Sequence, residues 1–536
     1  MLDHRKTERR RRQRGIAVIG LLAVAVAACS ADPNASTSKA GEAISGFVGG
    51  VSGDEPRATL VAQDVLAGGG TAADAAVAMT FALSVTYPAA AALGGGGSCL
   101  IFDAATQSSE TLNFLPVHPA SGGSIAVPGT VRGLAALHSR YGRKSWRRLL
   151  EPAEQMARRG HPVSRALAKV LQAARPVILG DMGLKSIFVT DGDHVLVEGD
   201  PLSQVPLSAV LAQIRVRGPG EFYVGQAANN LVAGARGAGS AMAMTDLRNY
   251  RPSWHETSSM KMEGLVFHTS PGPMIGGTIA GQMWAMLSEE ERFAKSAAQD
   301  DGVDTAHLLA EVSARAYSDR GANVSRPLST FRAHAMMTSY RAERHVPGRP
   351  EATSRLSPEL GLDSATGFAI VDQEGSAVAC TLSMGRSFGA GRADRLTGVV
   401  LAAPMVAGDL DFLGPVIVVS DEGRLVMAAA AVGGPAAPAA LAQGALTAIN
   451  SGKDLVPSID AARVFHPNNP DQVYVEPDMN GAVVAALRQR GHTLRVTDKL
   501  GRVNAILCPG GLARDNQKCQ FRADPRGYGL AAGGDF

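Results

Sequence analysis

Cysteine is scarce in this chain, with five residues among 536. No cysteine spacing matches a zinc site, and the 12 histidines form no HExxH pattern and no ordered cluster. The sequence therefore predicts no metal and no cofactor. It also contains no internal repeats of the kind that build repeat proteins.

Excess charge is also small. The formal net charge is +3. Residues 1–28 hold seven basic and two acidic residues, a charge of +5, so the remainder of the chain carries −2. Because residues 29–536 have no surplus of basic residues, their charge gives no reason to expect a nucleic-acid partner. The chain is 45% hydrophobic, which is typical of a globular protein rather than a disordered one.

The N-terminus lacks an apolar run long enough to span a membrane comfortably. A cationic segment ending at Arg14 precedes the run "GIAVIGLLAVAVAA", Gly15–Ala28, and then Cys29. This layout is typical of an export signal, residues 1–28, and the junction resembles a bacterial lipobox. We expect Cys29 to be lipidated, residues 29–45 to be a flexible tether, and the protein to be exported and held at a bacterial envelope membrane, on the periplasmic side. The alternative is an ordinary signal peptide with a chance cysteine.

The other four cysteines are expected outside the cytoplasm, where disulfides persist. Cys508 and Cys519 flank the loop "PGGLARDNQK", which predicts a local disulfide. Cys99 and Cys380 lie in apolar, strand-like runs, and we expect them to be buried thiols.

Two regions follow the tether. Residues 46–362 begin with a helix–turn–helix pattern over 57–87 and a hairpin, "SCLIFD" and "SETLNF". Residues 160–330 are mainly helical in pattern, with an extended interruption near 264–272. The polar segment 341–362, rich in Pro, Arg and Glu, is the best candidate linker.

Residues 363–536 have a different character, with short β-like runs between helical patterns near 436–451 and 478–491. The stretch "DSATGFAIVDQEGSAVAC", residues 363–380, predicts a strand, a tight turn and a strand. The whole is mixed α and β, with strands sandwiched between helices.

Several motifs occur in an order that resembles the γ-glutamyltransferase family over roughly residues 45–536: "GGTAADAAVAM", "LGGGGSCLIFD", "IAVPGTVRGLAALHSRYG", "MTDLRNYRP", "GFAIVDQEGSAVA", "VGGP" and "ADPRGYGLAAG". The resemblance implies a four-layer αββα fold of the N-terminal-nucleophile hydrolase type. It also implies a precursor that cuts itself into a large and a small subunit and exposes a nucleophilic threonine.

The family's catalytic pattern is altered here. Counting back from Asp372, the family's Thr-Thr-His falls on Ala365, Thr366 and Gly367, so the nucleophile position is alanine. The supporting hydroxyl falls on Ser383, and the asparagine two residues on is Gly385.

The implied substrate contacts are degraded as well. The arginine that should clamp the α-carboxylate corresponds to Leu115. The remaining substrate-holding positions fall on Pro404, Ala407, Asp411 and Phe412. The oxyanion glycines, Gly433 and Gly434, are kept, although close packing alone would also explain them.

Two hypotheses remain open. In the first, the protein is a non-catalytic envelope lipoprotein that keeps the fold for a structural role or to bind a small molecule or peptide. In the second, it is a self-processing amidohydrolase that has moved its nucleophile to Thr366 or Ser364 and accepts a different, uncharged or hydrophobic acyl substrate. Apart from these, an alignment error at the clamp position would leave the arginine to a loop elsewhere. Arg386 and Arg392 are the candidates for that, unless both are solvated loop residues.

Overall fold

Two antiparallel sheets form the centre of the protein in a computed structural model. The structure describes residues 47–288, 302–323, 328–347, 355–356, 364–405, 408, 410–512 and 519–535, all of which belong to one compact unit. The predicted signal, the tether, Cys29 and much of the linker lie outside the described residues. No helix among the residues described is both long and apolar enough to cross a membrane.

The strands are β1 (Phe47–Gly53), β2 (Gly96–Asp103), β3 (Ser108–Asn113), β4 (His161–Pro162), β5 (Val189–Thr190), β6 (His194–Val195), β7 (Pro201–Leu202), β8 (Ser253–Glu256), β9 (Ser258–Met262), β10 (Leu265–Thr269), β11 (Ala365–Asp372), β12 (Ala377–Ser383), β13 (Arg392–Ala393), β14 (Val400–Leu401), β15 (Val416–Ser420), β16 (Leu425–Val432), β17 (Val464–Phe465), β18 (Val473–Val475), β19 (Leu494–Val496), β20 (Arg502–Leu507), β21 (Gln520–Arg522) and β22 (Leu530–Asp535).

The α-helices are Pro56–Ala67, Ala72–Thr86, Thr130–Tyr141, Trp146–Arg159, Arg165–Ala173, Arg175–Leu179, Met182–Phe188, Val205–Arg217, Glu221–Val224, Gln226–Gly237, Met244–Asn249, Gly276–Ser288, Val303–Ser318, Arg320–Asn323, Thr330–Met337, Ala437–Leu441, Thr447–Ser451, Leu455–Asp460 and Gly481–Gln489. Short 3₁₀ turns occur at Leu410–Phe412 and Gly434–Ala436, and a π turn at Ala442–Leu446.

The first sheet has seven strands in the order β22-β1-β11-β12-β2-β3-β8, and the second has six in the order β21-β20-β16-β15-β10-β9. Their inner faces meet in an apolar layer in which Ala369 and Val371 of β11 pack with Ile417 of β15 and Ala428 of β16. Because β11 is buried on both faces, its sequence is almost continuously apolar.

Helices cover the outer face of each sheet. Helices Pro56–Ala67 and Ala72–Thr86 pack on the first sheet, where Phe368 and Ile370 join their core. Helices Gly276–Ser288 and Ala437–Leu441 pack on the second sheet. The predicted four-layer αββα architecture is confirmed.

The predicted helix–turn–helix over residues 57–87 is also confirmed, and capping explains its boundaries. Glu55 caps the first helix by accepting a hydrogen bond from the Ala58 N–H, and proline stands at its first position. The second helix begins with a capping box between Thr71 and Asp74.

The β2–β3 and β11–β12 hairpins occur as expected. The extended interruption in the helical region is longer than the sequence indicated, because three strands, β8 to β10, cover Ser253 to Thr269. Residues 341–347 and 355–356 of the predicted linker form neither helix nor strand.

The prediction of buried thiols at Cys99 and Cys380 is wrong. The two residues face each other across β2 and β12 and form a disulfide, with their Cα atoms 4.1 Å apart. The register of two strands that are 281 residues apart in sequence brings them together, and local sequence does not encode that register. A second disulfide joins Cys508 and Cys519.

Candidate active site

A cavity of about 230 Å³ opens where β11 begins and β12 ends. Ser364, Ala365 and Ser383 line one side of it, and the glycine pair Gly433–Gly434 lines another. The structure therefore brings together the nucleophile position, the supporting hydroxyl and the oxyanion glycines that the resemblance predicts.

Ala365 is buried in an apolar cluster with Met274, Leu413 and Val432. Leu115, which stands at the position of the expected arginine, packs against the same cluster. The nucleophile position and the arginine position of the family site therefore both carry apolar side chains here. Neither side chain can attack a carbonyl or pair with a carboxylate.

Thr366 lies on the opposite face of β11, because successive side chains of a strand alternate. Its hydroxyl is fully buried and donates to Oδ2 of Asp54 at 3.0 Å. The other carboxylate oxygen of Asp54 accepts from Nδ2 of Asn504 at 2.8 Å. The hydroxyl of Thr366 is thus held on the face of the strand that Ala365 does not occupy.

The start of β11 is held by a network that sequence reasoning missed. Nη2 of Arg502 donates to the carbonyl oxygen of Ala365 at 3.0 Å, and Nδ2 of Asn504 donates to that of Gly367 at 2.8 Å. Asp54, at the end of β1, lies 3.7 Å from Nε of Arg502. These residues come from three distant segments, and no local motif marks them as one group.

Ser383 holds the main chain just before Ala365. Its hydroxyl donates to the carbonyl oxygen of Ser364 at 3.1 Å and accepts from the N–H of Gly385 at 3.0 Å. The N–H of Met384 donates to the same Ser364 oxygen at 3.0 Å. Two donors on one carbonyl polarise the peptide bond between Ser364 and Ala365, but residue 365 carries no hydroxyl to attack it.

Gly433 and Gly434 have positive φ values of 113° and 65°. A Cβ added at Gly433 would lie 2.8 Å from the Cα of Gly501, so both conformation and space require glycine there. Close packing therefore accounts for Gly433 whether or not the pair binds an oxyanion.

The remaining substrate positions differ in their surroundings. Phe412 lines the cavity and stacks on Tyr317, with ring centroids 6.4 Å apart. Burial lowers the pKa of the Arg320 guanidinium, and the negative charge of Asp411 opposes that shift. Pro404 is half-buried, and Ala407 lies outside the described residues.

Neither arginine suggested as a replacement clamp lines the cavity. Arg386 is exposed, and Arg392 lies in a different groove, 3.5 Å from Asp181. Arg355 lines the cavity instead. Arg355 belongs to the polar segment 341–362, which was predicted to be a linker. The composition of that segment did not indicate that one of its residues lines the cavity.

The neighbouring Leu356 is buried in the cavity wall, and its N–H donates to the carbonyl oxygen of Asn469 at 2.9 Å. The chain just upstream of the nucleophile position therefore forms part of the cavity in the intact protein.

Comparison with known proteins agrees with this geometry. The Gamma-glutamyltranspeptidase family model matches residues 58–407 and 410–534. The chain is 28% identical to the glutathione hydrolase proenzyme of Pseudomonas aeruginosa, over 95% of this chain and 97% of that protein. It is 27% identical to Scoloptoxin SSD14 of Scolopendra dehaani, over 82% and 85%. The chain therefore belongs to the γ-glutamyltranspeptidase family.

A solved structure shows the same fold. Cephalosporin acylase from Bacillus halodurans superposes with a TM-score of 0.76 at 22% identity, covering 92% of this chain and 96% of that one. This similarity supports the N-terminal-nucleophile hydrolase fold and leaves the chemistry to be argued from the site.

Proposed function

We propose that this protein is a γ-glutamyltranspeptidase-family member that neither cleaves itself nor transfers γ-glutamyl groups, and that it keeps the cavity to bind a ligand. The observation that carries the proposal is the methyl group of Ala365 at the strand start, within an apolar cluster. Covalent catalysis by this family's route needs a hydroxyl at that position, and the available Thr366 hydroxyl is bound to Asp54 on the other face.

Loss of the substrate clamp supports the same conclusion. Leu115 packs against the apolar cluster that contains Ala365, so a γ-glutamyl α-carboxylate would meet hydrocarbon in place of a guanidinium. Removing one partner of a buried charge pair typically costs about 2–5 kcal/mol, which is roughly 30-fold to several thousand-fold in affinity.

The cavity wall indicates the class of ligand. Met405, Phe412, Leu413 and Val432 supply apolar surface, and Arg355 supplies a cation at the rim. A small molecule or peptide with an uncharged or hydrophobic acyl group fits this lining, and the arginine would favour an acidic end.

The same proposal includes export and anchoring through a lipid on Cys29. It rests on the basic, apolar and cysteine order of the first 29 residues. Expression of the full chain with Cys29→Ser tests it: the wild type should sediment with membranes, and the variant should be released. Membrane association that is unchanged in the variant would contradict the anchor.

A second candidate function is an active amidohydrolase that uses Ser364. One observation favours it, because Ser364 lines the cavity next to Ser383 and the glycine pair. In this reading the chain hydrolyses a hydrophobic N-acyl amide rather than glutathione.

One set of assays separates the two functions. We expect the purified full-length protein to hydrolyse neither glutathione nor a series of medium-chain N-acyl amides, and to bind the acyl amides without turnover. Turnover that Ser364→Ala abolishes and Thr366→Val leaves unchanged would overturn the non-catalytic proposal in favour of the second function.

A further inference from the structure

Four histidines and two carboxylates, none of which lines the active-site cavity, converge on one another. They are His307, Glu311, His345, His466, Asp471 and His492, and they come from four separate segments of the chain. Sequence spacing gave no sign of this group, because its members are far apart along the chain, except for the four-residue interval between His307 and Glu311.

His307, Glu311 and His492 are all buried, and each offers one ligand atom within 4.8 Å of the others. His307 and Glu311 lie one turn apart on helix Val303–Ser318, so their side chains share a face. Nδ1 of His307 is 2.8 Å from Nε2 of His492, and that nitrogen is 4.0 Å from Oε1 of Glu311.

In His307 and Glu311, the side-chain atom that does not face the cluster already forms a hydrogen bond. Nε2 of His307 lies 2.9 Å from the carbonyl oxygen of Arg341, to which it donates, so its Nδ1 lone pair faces His492. Oε2 of Glu311 accepts from Arg315 at 2.7 Å. Main-chain carbonyls and charged partners of this kind orient metal-binding side chains in proteins.

His345 supports the carboxylate from the other side. One ring nitrogen of His345 lies 2.5 Å from Oε1 of Glu311, and the other lies 2.9 Å from Oδ1 of Asp471. His492 is less well satisfied, because its buried Nδ1 has no hydrogen-bond partner among the described residues. Because none of these residues holds Nδ1, that atom can carry the ring proton and leave the facing Nε2 as a metal ligand.

We propose that Nδ1 of His307, Nε2 of His492 and Oε1 of Glu311 bind one divalent transition-metal ion such as Zn²⁺. Imidazole nitrogen with carboxylate oxygen is a donor set that such ions prefer. Zn–N and Zn–O distances of about 2.0–2.2 Å place tetrahedral ligands roughly 3.3 Å apart. The two separations from Nε2 of His492, 2.8 and 4.0 Å, reach that value by shifts of less than about 1 Å, and the ligand atoms of His307 and Glu311 lie within 4.8 Å of each other.

Binding needs one proton to move and none to be lost. In the metal-free pair, Nε2–H of His492 donates to Nδ1 of His307, and on binding that proton moves to Nδ1 of His492. The ion would fasten helix Val303–Ser318 to the segment before β19. The three protein ligands are all buried, and they leave the fourth tetrahedral position open for a water molecule.

The test uses the full chain, stripped with EDTA and dialysed, then loaded with Zn²⁺ and desalted. We expect one retained equivalent by elemental analysis and a rise in melting temperature that EDTA reverses. His307→Ala and His492→Ala should lose both effects. The exposed His255, on β8, provides the matched control, and His255→Ala should retain them.

Two further measurements keep the proposal falsifiable if an alanine variant does not fold. Co²⁺ should give the visible absorption of a low-coordinate nitrogen and oxygen site in the wild type, and His307→Gln should abolish it. No retained Zn²⁺ and no thermal shift in the wild type would overturn the proposal. Loss of binding in His466→Ala but not in His307→Ala would overturn the ligand assignment in favour of His345, His466 and His492, which also lie within 4.8 Å of one another.

Discussion

The hydroxyl of Thr366 donates a 3.0 Å hydrogen bond to the carboxylate of Asp54, on the face of β11 opposite to that of Ala365. This one relationship argues against Thr366 as a displaced nucleophile and leaves Ser364 as the candidate of the catalytic hypothesis. A hydroxyl that satisfies a buried carboxylate has a structural role already. To act as a nucleophile it would have to leave Asp54 and cross the strand.

Thr366→Val tests this structural role. The change removes a donor to a buried carboxylate, so we expect the free energy of unfolding to fall by about 1–3 kcal/mol. Thr366→Ser keeps the hydroxyl and should lose much less. Denaturant unfolding of the three proteins measures the difference, and equal stability of the Val and Ser variants would contradict the assigned hydrogen bond.

Ala365→Thr restores the family's nucleophile type at the strand start. We expect no glutathione hydrolysis from this variant, because Leu115 still occupies the clamp position. The glutathione hydrolase proenzyme of Pseudomonas aeruginosa, run in the same assay, is the positive control. Robust hydrolysis by the Ala365→Thr protein would show that this site binds γ-glutamyl groups without the clamp.

The two disulfides should differ in their effect on stability. Cys99 and Cys380 close a loop between positions 281 residues apart, and Cys508 and Cys519 are 11 apart. Chain entropy assigns the long bridge about 6 kcal/mol and the short one about 3 kcal/mol. Unfolding of the two double alanine variants tests this order, and a larger loss from the short bridge would contradict it.

Asp372 should make stability depend on pH. Burial raises its pKa to about 6, although the N–H groups of Ala72, Glu374 and Ser376 oppose the shift. The folded state therefore keeps a proton that the unfolded state loses above its lower pKa of 3.8. This contribution is complete below that value and is lost as the pH rises to about 6, at up to about 1.4 kcal/mol per pH unit.

Asp372→Asn removes that titration. Between about pH 4 and 6, the wild type should lose stability relative to the variant as the pH rises. Unfolding at several pH values measures the relative slope. A stability difference that stays constant across this window would mean that the folded carboxyl has an ordinary pKa.

Local patterns predicted the parts of the fold that local interactions determine. The helix–turn–helix follows from its apolar periodicity and the capping box at Thr71, and the β11–β12 hairpin follows from its turn residues. Because successive side chains of a strand point to opposite faces, the sequence alone predicted that Thr366 and Ala365 lie on different faces of β11.

Contacts between distant segments could not be read in this way. The pairing of Cys99 with Cys380 depends on strand register, and Arg502, Asn504 and Asp54 meet only when β20 and β1 are assembled. The four-layer architecture was predicted from the family resemblance. Hydrophobic periodicity predicts single helices and strands, but it does not predict how they are arranged.

The intact mass of the purified protein without residues 1–28, after long incubation, tests the central claim most directly. We predict a single uncleaved polypeptide, because residue 365 has no hydroxyl to attack the Ser364 carbonyl that Ser383 and Met384 hold. Two fragments, with the smaller one beginning at Ser364 or Thr366, would contradict the account and identify the nucleophile.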